Sequence, residues 1–374
     1  MNSRERVKAA IAWNRPDRIP VHENFWTDTL TVWKKKGMPE YITMYPPESV
    51  EDFFDLDIAP MYLDSSPRFR QKIISKDDDY YTYEDRWGYT ATKPWQASGS
   101  IHYEKTVTEN KEVWEKEVKP RMVLDPNDTA RIDDASYFEH FDEYPSWESA
   151  LGKIRSLHEN HKYILAFNYG PWEATWRHRD FTNCLMDVAL DPEWIKDMMW
   201  THHELTKNII RKSYNTGIVP DGYIMVDDLG SSTTTLISPD MFRDILKPVY
   251  KDMGEFLESL EIDFWLHSCG NVNLLIDDYI DVGIQVLNPV QVSAGMNAIE
   301  IAKKYKNQIA FYGNLDTHVL TSDWETLKTA LEERCIYFRN GGWISHSDHS
   351  IPPNMPYENF IKMIDFVKNY ESLE

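Results

Sequence analysis

From Tyr163 onward the hydrophobic and polar positions alternate between two textures. Short apolar runs predict strands at Tyr163 to Tyr169, Gly222 to Val226, Phe264 to Leu266, Ile284 to Leu287, Ile309 to Tyr312 and Trp343 to Ser345. Between and after them, apolar residues recur at helical spacing. These stretches are Pro192 to Asn215 (after a shorter helix), Pro239 to Leu260, Leu274 to Tyr279, Ala298 to Tyr305, Trp324 to Arg339 and Tyr357 to Tyr370. Alternating short strands and amphipathic helices predict a parallel sheet with helical crossovers.

The N-terminal third is less regular. Ser3 can cap a helix from Arg4 to Trp13, and Ile19 to Glu23 reads as a first strand. Helices follow at Thr29 to Lys36, ended by Gly37, and at Glu48 to Phe54, before the apolar run Ile58 to Leu63. Polar turns then separate four strand-like runs: Phe69 to Ser75, Tyr80 to Tyr83, Trp87 to Thr92 and Ile101 to Thr106. They predict an antiparallel insertion over about 69–122. Asp125 to Tyr144 is acidic and irregular, and Trp147 to Asn160 is helical. Counting the strands of both parts gives about eight βα units. The expected fold class is therefore α/β: a single (β/α)8 TIM barrel spanning 1–374, with an antiparallel β insertion in its N-terminal third. No Gly-x-Gly-x-x-Gly follows a strand, which argues against a dinucleotide-binding sheet.

Composition narrows the partners. A net charge of -21 over 374 residues argues against nucleic acid or an anionic membrane as partner. No stretch approaches the roughly 20 apolar residues of a membrane span. Three cysteines, and an N-terminus with Arg4, Glu5, Arg6 and Lys8 rather than an apolar leader, predict a reduced, cytoplasmic protein.

In such barrels chemistry sits at the C-terminal ends of the strands. This chain places there His22-Glu23-Asn24, Asn168-Tyr169-Gly170, Asp227-Asp228, His267-Ser-Cys269, Asn288, Tyr312-Gly-Asn-Leu-Asp316 and His346-Ser-Asp348-His349. His267 and Cys269 are two residues apart, so an extended backbone points both the same way, and Gly270 lets the chain turn off. Imidazole and thiolate suit zinc. A third donor is expected from His346, Asp348 or His349. Asp227 and Asp228 either reach the site or cap the following turn. Cys184 and Cys335 read as packing residues, and His202 and His203, with no partner at i+4, as surface.

Several motifs resemble the uroporphyrinogen decarboxylase superfamily, including its corrinoid-dependent methyltransferase branch. They are Arg15-Pro-Asp-Arg-Ile-Pro20, His267-Ser-Cys-Gly-Asn271, Tyr312-Gly-Asn-Leu-Asp316 and Pro352-Pro-Asn-Met-Pro-Tyr-Glu-Asn359. The resemblance covers nearly the whole chain and implies a (β/α)8 barrel. Two departures define the subgroup. Where the decarboxylase carries substrate-binding arginines, this chain has His22-Glu-Asn-Phe-Trp-Thr-Asp28, so uroporphyrinogen is not the expected substrate, although Asp64 matches that enzyme's aspartate. Where thiol-methylating members carry a late cysteine, this chain has His349.

The resemblance thus implies zinc on His267, Cys269 and His349, acting on a small O- or N-methylated donor such as an aryl methyl ether. The methyl group would pass to the Co(I) corrinoid of a partner protein, since no cobalamin-binding Asp-x-His-x-x-Gly is present. Asp227, Glu23 and Asp348 are the candidate catalytic groups. His22, Asn168, Asp228, Tyr312 and Asp64 are the candidate substrate-binding residues, and a homodimer is an open alternative. Two other readings stand beside this one: a metal-free lyase or decarboxylase of a small carboxylic acid, and a catalytically silent binding barrel.

Overall fold

A computed structural model of the protein describes residues 1–44, 49–95, 99–124, 129–133 and 144–370. Its strands, in chain order, are β1 (Ile58–Leu63), β2 (Lys72–Lys76), β3 (Tyr80–Glu84), β4 (Tyr89–Pro94), β5 (His102–Thr106), β6 (Ile132–Asp133) and β7 (Tyr163–Tyr169). They continue with β8 (Gly222–Val226), β9 (Asp263–His267), β10 (Val286–Asn288), β11 (Ala310–Tyr312) and β12 (Trp343–Ile344). The main sheet runs in the order β12-β11-β10-β9-β8-β7-β1-β6. Its pairings are parallel, except that β6 joins β1 antiparallel.

Ile19 to Glu23 does not form the full strand expected of it. Pro20 has no N–H for a ladder, and pairing is reduced to the bridge of Val21 with Ser345. The segment still lies between the ends of the curled sheet. Ser345 donates to the Pro20 carbonyl (2.9 Å), His22 to that of Ser345 (3.0 Å), and Asp57 to that of Val21 (2.8 Å).

The helix Ser3–Ile11, started by a capping box of Asn2 and Glu5, covers the N-terminal ends of the strands. Val7, Ala10 and Ile11 pack on Ile58, Leu165, Ile224 and Trp265 inside the sheet. Arg4 to Asp221 (2.8 Å) and Arg6 to Asp57 (2.7 Å) pin it there. The opposite end is the one left for chemistry.

The expected insertion is present as a four-stranded antiparallel sheet, β2-β3-β4-β5. Tyr81, Tyr83, Trp87, Tyr89 and Ala91 form its apolar face and pack against Tyr169 and Ala174. That contact sets the sheet beside the helix Pro171–Arg179, which leaves the end of β7.

Two other expectations change. The helix expected from Pro239 to Leu260 is two, Pro239–Ile245 and Lys247–Ser259, because Pro248 has no N–H to continue the first. His202 and His203 are buried, not superficial. His202 Nε2 meets His178 Nε2 at 2.9 Å and His203 Nε2 meets Asp252 at 2.6 Å. Both partners sit on other helices, where an i+4 rule cannot find them. Cys184 and Cys335 are buried as expected. The segment from Asp125 to Tyr144 falls largely outside the described residues. No helix among the described residues is long and apolar enough to cross a membrane.

Candidate active site

The loops leaving β8 and β9 touch through their backbones. Gly230 N donates to Cys269 O (3.1 Å) and Asn271 N to Ser231 O (2.7 Å). A Cβ on Gly270, whose φ is +85°, would lie 2.3 Å from the Gly230 carbonyl carbon. Only glycine tolerates that φ and that approach. The crossing sets Asp228 against the two residues singled out by strand alternation. The ligand atoms of Asp228, His267 and Cys269 all lie within 4.8 Å of one another. Cys269 Sγ is 3.3 Å from His267 Nε2, and Asp228 Oδ1 is 3.6 Å from the same nitrogen. Ser268 points the other way, accepting from Leu229 N at 2.9 Å.

The spacing and the donors suit a metal. Bonds of about 2.0 Å to nitrogen and 2.3 Å to sulfur in a tetrahedron hold the two atoms about 3.5 Å apart. Electrostatics agree. Burial pushes the Cys269 thiol well above its ordinary pKa, and Asp228 and Glu173 push it further, so a cation held between these donors would favour the thiolate.

Glu173 joins the site from the first turn of a helix rather than from a strand end, so the strand-end pattern does not reveal it. Burial raises its carboxyl to about 8 despite the opposing charge of Arg177. Arg177 Nη2 donates to it at 3.1 Å, stacks over the Tyr169 ring at 3.6 Å, and reaches Tyr103 Oη of β5 at 3.1 Å. The inserted sheet thereby braces one wall of the site.

The other expected residues are placed as follows. His349 is exposed at the same mouth, stacked on Trp26 at 5.6 Å. It lies outside the three-residue group, yet near enough to His267 and Asp228 for their charges to act on its ring. Asp227 is buried and accepts from Trp172 N (3.3 Å), Glu173 N (2.7 Å) and Tyr250 Oη (2.6 Å). Burial raises its carboxyl to about 7. Its bonds hold the start of the helix Pro171–Arg179. Asp348 accepts from Val292 N (2.9 Å) and Thr317 N (3.0 Å).

Glu23 is buried and accepts from Ser347 N and Oγ, the latter at 2.6 Å; burial raises it to about 8. His22 Nδ1 meets Tyr312 Oη at 2.5 Å, and its buried Nε2 has no hydrogen-bond partner among the described residues. Asn168 is held by Ser65 and Thr206. Asp64 accepts from Ser66 and from Arg68 Nε (2.7 Å). Burial would raise it, but Arg86, Arg68 and Arg131 outweigh burial and hold it below the usual carboxylate range.

The model of the uroporphyrinogen decarboxylase (URO-D) family matches residues 112–370, and the chain belongs to that family. Among solved structures, a methyltransferase from Methanosarcina mazei aligns with a TM-score of 0.65 at 14% sequence identity, over 100% of this chain and 99% of that one. At that identity the likeness is one of fold. A B12-independent methionine synthase from Shewanella sp. W3-18-1 gives a TM-score of 0.43 at 10% identity, over 86% of this chain and 84% of that one. No curated protein sequence matches the chain.

Proposed function

From membership of this family we propose that the chain is a zinc-dependent methyltransferase on a closed (β/α)8 barrel. It takes a methyl group from a small O- or N-methylated donor, with an aryl methyl ether as the first candidate. The acceptor is the Co(I) corrinoid of a partner protein. The observation that carries this reading is the meeting of Asp228, His267 and Cys269 at the C-terminal ends of β8 and β9.

Asp228, His267 and Cys269 are the residues that would hold zinc, and His349 is the candidate for the remaining position. A zinc ion there supplies Lewis acidity, which makes the heteroatom carrying the methyl group a better leaving group. The rest is the work of this chain. Trp26, stacked on His349, offers a flat wall to a planar donor. Glu173, fixed by Arg177, is close enough to the Cys269 thiol for its charge to act there and is the candidate to hold a proton beside the donor. In the transfer the donor's C–O or C–N bond breaks, its electron pair stays with the heteroatom, and the acceptor supplies the pair for the new bond. Asp227, Asp348 and Glu23 enter this scheme as groups that hold the loops, since each already accepts hydrogen bonds from other parts of the chain.

The test is methyl transfer to free Co(I) cobalamin by zinc-loaded protein, with methoxylated aromatics and methylated amines as donors and methylcobalamin formation followed by absorbance. Methylcobalamin appearing with one donor class, and not with Cys269→Ala, is the expected result. Release of carbon dioxide from small acids by zinc-stripped protein would overturn the reading in favour of a lyase.

A further inference from the structure

β10 ends beside the loop that carries His267 and Cys269, and its last residue, Asn288, makes the connection. Its Nδ2 donates to the carbonyl oxygen of Tyr312 at 2.6 Å, at the end of β11. A carbonyl can only accept, so this bond fixes which way round the amide lies. Asn288 Oδ1 must then face His267 Nδ1, with which it is hydrogen-bonded. An amide oxygen can only accept too, so His267 Nδ1 must carry the hydrogen. The remaining nitrogen, Nε2, is left with its lone pair. It points to Cys269 Sγ and Asp228 Oδ1, at 3.3 and 3.6 Å.

We propose that Asn288 is a positioning residue that sets the tautomer and ring orientation of His267 for metal ligation. It deepens the zinc reading and rests on it for the metal, though not for the tautomer. Asn288 is buried and 21 residues beyond His267, on the adjacent strand where Asn288 pairs in register with His267. The strands themselves therefore hold the amide opposite the imidazole. Gln291, three residues on, does the same for the loop: its Oε1 accepts from Gly270 N at 2.8 Å. The end of β10 and the turn after it thus hold both the imidazole and the backbone that carries the thiol. A hydrogen-bond acceptor on the far nitrogen of a ligating histidine fixes the ring and raises its basicity, and its removal typically costs 10- to 100-fold in metal affinity.

The test compares wild type with Asn288→Leu, which keeps the approximate size but neither accepts nor donates, and with Asn288→Asp, which still accepts. The first readout needs no metal: long-range 1H–15N spectra of the metal-free protein, at a pH where His267 is neutral. Wild type and Asn288→Asp should show the Nδ1–H tautomer, and Asn288→Leu should lose it. The second is zinc affinity by competition with a chromophoric chelator. Asn288→Leu should bind about 10- to 100-fold more weakly, with Asn288→Asp close to wild type. An Nε2–H tautomer in wild type, or equal tautomers and affinities in wild type and Asn288→Leu, overturns the inference. Should Asn288→Leu fail to fold, the wild-type spectrum alone decides, and an Nε2–H tautomer there overturns the inference. Correct tautomers without zinc binding in wild type would uphold the role of Asn288 while removing the zinc reading.

Discussion

The backbone N–H of Cys269 donates to Asp228 Oδ1 at 2.7 Å. One hydrogen bond therefore draws the carboxylate after β8 to the residue that supplies the thiol after β9. It also separates two neighbouring aspartates by role: Asp228 faces Cys269 and His267, while Asp227 is buried behind them.

Alanine at the two positions should behave oppositely. Asp228→Ala should fold with near wild-type stability and lose zinc affinity by at least about 10-fold. Asp227→Ala leaves two buried backbone donors and the Tyr250 hydroxyl without their acceptor. It should cost about 2–4 kcal/mol in urea unfolding. The reverse pattern would show that Asp227 is the ligand.

Gly230 is the point at which the two loops cross. A Cβ there would lie 2.5 Å from Cys269 O and 2.6 Å from the Gly270 carbonyl carbon. Backbone cannot swing aside as a side chain can, so Gly230→Ala must push the loops apart. Zinc competition should show weaker binding in the folded variant, and an unchanged dissociation constant would mean that the crossing does not set the site.

The strand ends were legible because strand alternation is local: His267 and Cys269 share a direction whatever surrounds them. The succession of strands and helices from Tyr163 was legible for the same reason. What the sequence concealed depends on contacts between distant segments. Asp227 and Asp228 are equivalent along the chain, and only the helix Pro171–Arg179 and the Gly230–Gly270 crossing tell them apart. Glu173 enters the site from a helix, and His202 and His203 are buried by partners on other helices. His349 is a candidate donor from its place in a motif, whereas Asp228 meets His267 and Cys269 through the crossing of the loops after β8 and β9.

The buried pair His178 and His202 makes stability depend on pH. Burial lowers the pKa of His202 from 6.5 to about 3. Its neighbours are His178, beside which Arg179 lies, and the neutral Trp87 and Trp114. The unfolded chain therefore takes up a proton near pH 6.5 that the folded chain refuses until about pH 3. The stability is fully present above 6.5 and is lost as pH falls through that window, at about 1.4 kcal/mol per pH unit for one group. Urea unfolding between pH 7 and 5 should show a shallower slope for His202→Phe than for wild type. Equal slopes would count against a neutral, buried His202.

Asp64 should prove structural. Replacing it with alanine removes the carboxylate that Arg68 meets at 2.7 Å and Arg86 at 3.9 Å. The expected cost is about 3–5 kcal/mol, measured by chemical denaturation. A substrate-binding role would instead give a variant of normal stability with a raised KM.

The central claim is that Asp228, His267 and Cys269 bind one metal ion through the thiolate, and titration of the protein with Co(II) tests it most directly. The account predicts that a thiolate-to-cobalt charge-transfer band grows to one equivalent and is abolished by added zinc. The band should be absent in Cys269→Ser and weakened in Asp228→Ala. A wild-type protein that gives no such band, or a band that survives in Cys269→Ser, would contradict it.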